Sequence, residues 1–417
     1  MKAIIPTLAI AFGSLFFSEH AIVLPSEQKA SRNLEIPNED TFPNRSGIDF
    51  YVSNSNINTK YSEFSSGLFR GKLIVVSSKK IGGLGNGIDP VTNEPFKELF
   101  CLDLDNKGKL SNPLLFSRIL NTKHNEGQVA FSPDESMVYF TRSQRENPEN
   151  YQLFKAELQL GSSGNWINIT QLTLNSAYSI EFPFVSRDGQ TLYFASNKGG
   201  GHGGFDLYKA VIQADGSIGI PQNLGPGINT AGDETYPSIS IDESQLYFSS
   251  NGHAGLGGMD LFISKIRNTG YDMPINLGEE VNSKYDEVAL HFIDETRGFF
   301  SSNKTGGQGS FDIYNFEALP IEQTLQGIIV ESSTNRPLPD SRVVLLDKSG
   351  NEISIQTTGV DAHFSFSVNA FQEYKLKIMK PGFKSDEFAF EARAEGFNKV
   401  YKQVLKLNAI VSKDVKK

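Results

Sequence analysis

Five carboxylates recur at one place in a repeated pattern: Glu63, Glu126, Glu181, Glu234 and Glu287, the last preceded by Asp286. Each stands thirteen or fourteen residues before an anchor position, Val76, Phe140, Phe194, Phe248 or Phe300, at the start of an apolar-alternating stretch. Gathered at the mouth of a channel, such a ring could hold Ca²⁺, which takes several oxygen ligands, or receive a basic partner. Two of the five, Glu181 and Glu234, could also act as acid and base on a glycoside. That work needs environments that push two pKa values apart, whereas repetition tends to give each carboxylate the same setting. The architectural account is that each carboxylate caps a turn by accepting backbone N–H bonds, which fivefold repetition explains equally well.

Other residues carry weaker chemical signals. The Gly-rich loops, such as Gly199 to Gly204, lack the following helix and Lys-Ser/Thr of a phosphate cradle. Their glycines are expected to permit positive φ, with Asp206, Asp260 and Asp312 bonding the loop amides, and with Asn197, Asn251 and Asn303 as further structural blade markers. His202 and His253 sit in neighbouring loops and read as solvated rather than metal-binding. Cys101, the single cysteine, lies in the alternating stretch LFCLDL and reads as a small buried hydrophobe. No G-x-S-x-G elbow occurs. No catalytic, cofactor or metal residue is therefore assigned, and Ca²⁺ is kept only as a possible occupant of the acidic ring.

These residues belong to a repeated unit. The anchors Phe140, Phe194, Phe248 and Phe300 are spaced by 54, 54 and 52 residues. Six residues before them stand Asp134, Asp188, Asp242 and Asp294 in a turn, and fourteen after stand Phe154, Tyr208, Phe262 and Tyr314 in a third strand. In the first unit Phe100 takes that third-strand role after the insertion Lys79 to Lys97. Before each unit lies Asn-Ser/Thr: Asn58-Thr59, Asn121-Thr122, Asn175-Ser176, Asn229-Thr230 and Asn282-Ser283. Units of about 50 residues built of short strands read as propeller blades, because one such sheet cannot bury its faces alone. The fold expected is all-β, a five-bladed β-propeller over 49–319, with six blades as the alternative. Fourth strands are expected at Pro221 to Leu224 and Pro274 to Leu277. Asp49 to Asn58 is expected to complete the last blade and close the ring, which removes open sheet edges.

The flanks differ. Residues 1–21 carry one Lys, an apolar run and a polar break, as a secretory signal does; 22–48 read as a linker or disordered arm. Residues 320–408 alternate as strands without the blade markers and are expected to form a small transthyretin-like β-sandwich, followed by a frayed tail, 409–417. With 417 residues and a net charge of -9, the chain has length for real cores and no basic footprint for nucleic acid. No stretch beyond the signal is long and apolar enough to be transmembrane.

Pro183 to Ser196, PFVSRDGQTLYFAS, resembles the strand pattern of TolB-like, WD-related propeller repeats. Ser196 to Tyr208, Ser250 to Phe262 and Ser302 to Tyr314 resemble the version in OmpA-family envelope proteins of Bacteroidota. Gly327, Pro337-Leu338, Val343 to Leu345, Asp361 and Phe364 resemble the signature of the carboxypeptidase-regulatory-like fold, with Ala362 where that family has Gly. The resemblance implies an exported protein, periplasmic or associated with the outer membrane, that binds an envelope protein partner through propeller loops such as Lys79 to Lys97 and Arg142 to Tyr151. A role beside assembly or secretion machinery, with peripheral membrane association through that partner, is implied only so. The family's C-terminal peptidoglycan-binding domain has no counterpart in these 417 residues. The rival expectation is a glycan- or peptidoglycan-binding or glycan-active protein using the carboxylates of the channel mouth.

Overall fold

The computed structural model describes residues 46–80, 87–172, 177–393 and 399–410. The expected signal, the arm up to residue 45, Asn175-Ser176 and most of the tail lie outside them. Among the described residues all regular structure is β, in seven sheets.

The first strand, β1 (Ile48–Asn54), is set aside by the chain and used last. The first sheet is β2 (Glu63–Phe69), β3 (Lys72–Ser77), β4 (Glu98–Leu104) and β5 (Leu110–Leu115). The second is β6 (Glu126–Phe131), β7 (Met137–Ser143), β8 (Tyr151–Leu158) and β9 (Trp166–Gln171); the third is β10 (Ile180–Val185), β11 (Thr191–Ser196), β12 (Asp206–Val211) and β13 (Gln222–Asn223). The fourth holds β14 (Glu234–Ile239), β15 (Gln245–Ser250) and β16 (Asp260–Arg267), with β17 (Gly270–Tyr271) and β18 (Ile275–Asn276) both on the free edge of β16. The fifth is β19 (Glu287–Phe292), β20 (Arg297–Ser302) and β21 (Asp312–Pro320), and β1 pairs antiparallel with β21 from Ile48↔Pro320 to Asn54↔Tyr314. The N-terminal strand thus covers the outer edge of the last sheet. The short strands β13 and β18 lie within the segments expected to supply fourth strands.

The first strands of the five sheets touch in the order β2, β6, β10, β14, β19 and back to β2. Aromatic anchors explain how neighbouring strands are held in register. Phe140 faces Phe154, Phe194 faces Tyr208, Phe248 faces Phe262 and Phe300 faces Tyr314, each pair stacked at 5.4–5.9 Å. In the first sheet the sequence expectation is off by one. Val76 pairs with Leu99, while Phe100 pairs with Val75 and packs on the opposite side of the sheet. Because side chains alternate, a shift of one residue changes the face; the insertion before β4 hid that step.

The remaining strands are β22 (Glu322–Glu331), β23 (Arg342–Asp347), β24 (Glu352–Thr357), β25 (His363–Asn369), β26 (Glu373–Met379), β27 (Asp386–Glu391) and β28 (Val400–Leu407). They form two sheets, β25-β22-β28 and β24-β23-β26-β27, with β22 and β28 parallel. Alternating burial along β25 and β26 puts Phe364, Phe366, Leu376 and Ile378 into one core with Leu325, Val343 and Leu405. The turn before β25 forms with Ala362 at φ 58°, where a glycine would sit without strain.

Lys265 of β16 reaches Glu391 at 2.5 Å and Glu373 at 3.0 Å, tying the propeller sheets to these strands. Gly47 accepts from Ile321 N–H, and an added Cβ there would lie 2.6 Å from Ala370 Cβ, so only glycine allows the chain to pass.

Candidate functional site

The repeated acidic residues are best understood together with the Asn-Ser/Thr marker that precedes them. In four units the spacing is Asn-Ser/Thr-x-x-x-Glu. The Asn side chain acts as a piece of β-ladder for the preceding sheet. Asn229 accepts from Leu207 N–H at 2.7 Å and donates to Leu207 C=O at 3.0 Å; Asn121 does the same with Leu99, Asn282 with Leu261 and Asn58 with Ile313. The Asn58 pair fastens the first unit to the fifth sheet.

The Glu then folds back on the marker hydroxyl. Glu234 accepts from Thr230 N–H, Thr230 Oγ1–H and Ser250 Oγ–H, each at 2.7 Å. Glu287 takes the same three bonds from Ser283 and Ser302 at 2.7–2.8 Å. Glu63 bonds Thr59 and Ser77, and Glu126 bonds Thr122 and the guanidinium of Arg142. All four are buried. Burial pushes the Glu63 and Glu126 carboxyls up to about 7 against the lowering effect of these donors. The expected ring at the channel mouth is therefore resolved into separate turn locks for Glu63, Glu126, Glu234 and Glu287, because donors close at hand take up their oxygens.

The Gly-rich loops belong to the same fastening. Asp206 accepts from His202 and Gly203 N–H, Asp260 from Leu256 and Gly257, and Asp312 from Gln308 and Gly309. Asn197 accepts from Ser179 N–H, Asn251 from Asp233 and Asn303 from Asp286, each at 2.7–2.8 Å. The glycine requirement differs from the expectation of positive φ at one key position per loop. A Cβ on Gly203, Gly257 or Gly309 would stand 2.2 Å or less from a backbone oxygen of the next unit's marker turn, Gly232, Tyr285 and Tyr61 respectively. Close approach between blades, rather than a left-handed backbone, selects glycine there.

The inner strands close the channel. Each carries a β-bulge just after its Glu. Pro183 and Pro237 lie in two of these bulges, where a missing N–H is tolerated. Phe182, Tyr236 and Ala289 take φ of 56°, 50° and 57°, unusual for non-glycine residues. The bulges turn Phe182 and Tyr236 onto one another at 3.8 Å between ring centroids, beside Phe64 and Phe311. The cavity among the five inner strands holds only about 20 Å³, room for about one water. At its other end a space of about 240 Å³ is bordered by Pro133, Phe184 and His291, whose imidazole burial holds at about 4 and hence neutral.

Glu181 departs from the lock. Its marker, Asn175-Ser176, stands one residue further away than in the other units, so Ala177 occupies the position four before it. Among the described residues its one side-chain donor is Ser179 Oγ at 2.7 Å. Burial raises its carboxyl to about 7, opposed by Ser179 and by the charge of Lys97. Tyr236 and Tyr151 both feel its charge, which adds to the effect of burial in raising their hydroxyl pKa values. Lys97, at the end of the first-unit insertion, lies over Phe64 at 5.6 Å. Asp89 of the same insertion bonds Asn125 in the second unit. Sequence reasoning did not single out Lys97, Tyr151, Tyr236 or His291. The signals available for the bulged positions were Pro183 and Pro237, placed inside otherwise alternating strands.

The remaining candidates are quickly placed. His253 turns its ring to Ile228 C=O at 2.8 Å and packs against Phe248 and Phe262, while His202 is exposed. Cys101 is half-buried, with its thiol pKa raised by burial. Among the described residues no three His, Cys, Asp or Glu side chains group as metal ligands, and no helix is long and apolar enough to cross a membrane.

The sequence matches no protein-family model and no curated protein. Among solved structures it is similar to TolB from Acinetobacter baumannii, at 17% identity over 59% of this chain and 51% of that one, with a TM-score of 0.32. It is also similar to a β-xylosidase, RS223, at 13% identity over 69% and 98% of the two chains with a TM-score of 0.43, and to a protein of unknown function from Dyadobacter fermentans, at 10% identity over 66% and 99% with a TM-score of 0.38. This chain thus spans about half the length of the TolB chain.

Proposed function

We propose that this is an exported, non-enzymatic binding or scaffold protein of the bacterial cell envelope, in which a propeller presents loops to a protein partner. The observation that carries the reading is the fate of the recurring carboxylates. Four of the five are held in turn locks between blades, and aromatic side chains fill the channel they would have ringed. What varies between units is loop: the Lys79 to Lys97 insertion interrupts the repeat and Arg142 to Tyr151 replaces the Gly-rich loop at unchanged length, and variable loops on a rigid frame are the usual place for recognition. The resemblance of the repeats to OmpA-family envelope proteins, and of the sandwich to regulatory-like domains, supports an address in the periplasm or at the outer membrane.

Glu181 favours one second reading, a glycan-active site at the channel mouth. Among the described residues it has no bond to a marker hydroxyl, and its carboxyl, raised to about 7 like those of Glu63 and Glu126, suits a general acid. Glycoside hydrolysis needs a second carboxylate, and the nearby Glu126 is engaged by Arg142 and Thr122. One experiment separates the readings. The secreted chain and its Glu181→Gln variant are used as bait on envelope extract, with a parallel incubation on purified peptidoglycan. Recovery of the same defined envelope proteins by both baits supports recognition. Glycan turnover that disappears in Glu181→Gln would overturn it.

A further inference from the structure

A cleft of about 560 Å³ opens between the turns of the third to fifth sheets and the sandwich. Its volume lies in the range of small-molecule sites, which favour junctions of this kind. The floor is apolar and aromatic: Tyr247 and Phe292 lie 5.1 Å apart, with Ile48 and Phe371 beside them. Phe371 is held at φ 63°, a conformation that is costly for an aromatic residue and that tends to persist where surrounding structure or function demands it.

The charged groups on the walls are Arg187, Asp242, Asp294, Glu295 and Lys348. Two of the three carboxylates already have donors. Asp242 accepts from Ser240 and Ser244, and Asp294 from Thr296 N–H and from the backbone and guanidinium of Arg297. Arg187 makes one long side-chain contact, 3.4 Å to Ile241 C=O, and Lys348 is exposed on the sandwich side. Asp242, bonded only to neutral donors, keeps its charge and acts on Lys348, whereas Arg187 makes no ion pair among the described residues; a ligand carboxylate would therefore meet Arg187 and share Lys348 with Asp242, with exposed Glu295 opposing. A guanidinium fork matches a carboxylate in two parallel bonds.

We infer that this cleft binds a ligand that joins an aromatic or branched apolar body to a carboxylate, the body on Tyr247, Phe292 and Phe371 and the carboxylate between Arg187 and Lys348. A free aromatic acid and a peptide ending in an aromatic residue share this chemistry. The site shares no lining residue with the channel cavities and stands independently of the reading of Glu181.

The test is titration of the full secreted chain, followed by calorimetry and ligand-observed NMR, with four probes: N-acetylphenylalanine, its amide, and Ala-Ala-Phe as free acid and as amide. Each acid should bind at least about tenfold more tightly than its amide, a charge-assisted bond being at stake. Arg187→Gln and Lys348→Gln, both at exposed positions, should each weaken the acids about tenfold, whereas Glu295→Gln should tighten them about threefold by removing a like charge. Arg145→Gln, outside the cleft, should change nothing. Which acid binds better identifies the source. The inference is overturned if acid and amide bind alike, if the Arg187 and Lys348 variants bind as the parent does, or if neither acid binds up to about 10 mM.

Discussion

Replacing Glu234 tests whether the repeated carboxylates fasten blades or serve a ligand. In Glu234→Ala the Thr230 N–H loses its acceptor in a buried turn, at roughly 1–3 kcal/mol. The two hydroxyls lose less, because Thr230 Oγ1 also accepts from Gly232 N–H and Ser250 Oγ from Gly252 and His253 N–H, so they stay partly satisfied. Loss of the one buried methylene, Cγ, adds about 0.8 kcal/mol. Against this, removing a buried carboxylate relieves its desolvation, often by 1 kcal/mol or more. The balance is a loss of about 3 kcal/mol, or roughly 5 °C in the midpoint of a unit this large.

Glu181→Ala removes only the Ser179 bond from a partly exposed side chain, so its loss should stay below about 1 kcal/mol. Urea and thermal unfolding of the two variants, followed by circular dichroism, give the comparison directly. Glu287→Ala, with the same three donors as Glu234, should behave like Glu234→Ala. The lock argument fails if Glu234→Ala loses under 1 kcal/mol, and the distinction between the two positions fails if Glu181→Ala loses as much as Glu234→Ala.

Three further outcomes follow from the same geometry. A chain beginning after β1 leaves β21 as an open edge and exposes the partners of Ile48 and Phe50, so its midpoint should fall by about 10 °C, at ~2–3 kcal/mol for each buried side chain; a synthetic 46–56 peptide should restore it in trans, and an unchanged midpoint would sink the closure. Burial holds Glu181 near 7 rather than 4.5, so the folded state binds more protons between those values; the stability this contributes is complete below about 4.5 and is lost as pH rises through about 7. The stability of Glu181→Gln relative to the parent should therefore rise by up to roughly 3 kcal/mol from pH 4.5 to 8, and parallel pH curves would contradict the assignment. Ala362→Gly relieves a left-handed strain of ~1–2 kcal/mol and loses a buried methyl worth about 0.8 kcal/mol, so the sandwich should gain about 0.5 kcal/mol in urea titration; a loss would show that the methyl outweighs the strain.

Much of the frame is legible from the residues because blades repeat what holds them together. The Phe anchors, the Asp turns and the Asn-Ser/Thr markers each report a contact made once per sheet. The register error at Phe100 arose where the repeat is broken by the Lys79 to Lys97 insertion, since no neighbour there fixes which residue faces the anchor. The Glu positions were legible as a pattern and their role was less so. Both halves of the lock, the marker and the carboxylate four residues after its hydroxyl, stand in the sequence, yet joining them requires a turn tight enough for one side chain to reach back over four residues.

The bulges are harder to read, because an inner strand with an extra residue still alternates on either side of the step. Only Pro183 and Pro237 betray it, and the resulting stack of Phe182 on Tyr236 brings together strands 54 residues apart in sequence. The cleft is harder still, since its walls come from turns of three sheets and from the sandwich, and no periodicity relates them. Repetition in a chain of this kind marks what every blade needs, which is attachment to the next. On the proposed reading, recognition uses positions that break the repeat: Glu181, with its one extra residue after the marker, the insertion that brings the charge of Lys97 to Glu181, and the cleft whose walls carry Arg187 and Lys348. For Glu181 the break is already visible as a count, five residues from Ser176 where the other units have four from their marker hydroxyl. Among the described residues Glu181 keeps one side-chain donor where Glu234 and Glu287 each accept three bonds, so on the proposed reading it is the carboxylate of the set least engaged by its own turn.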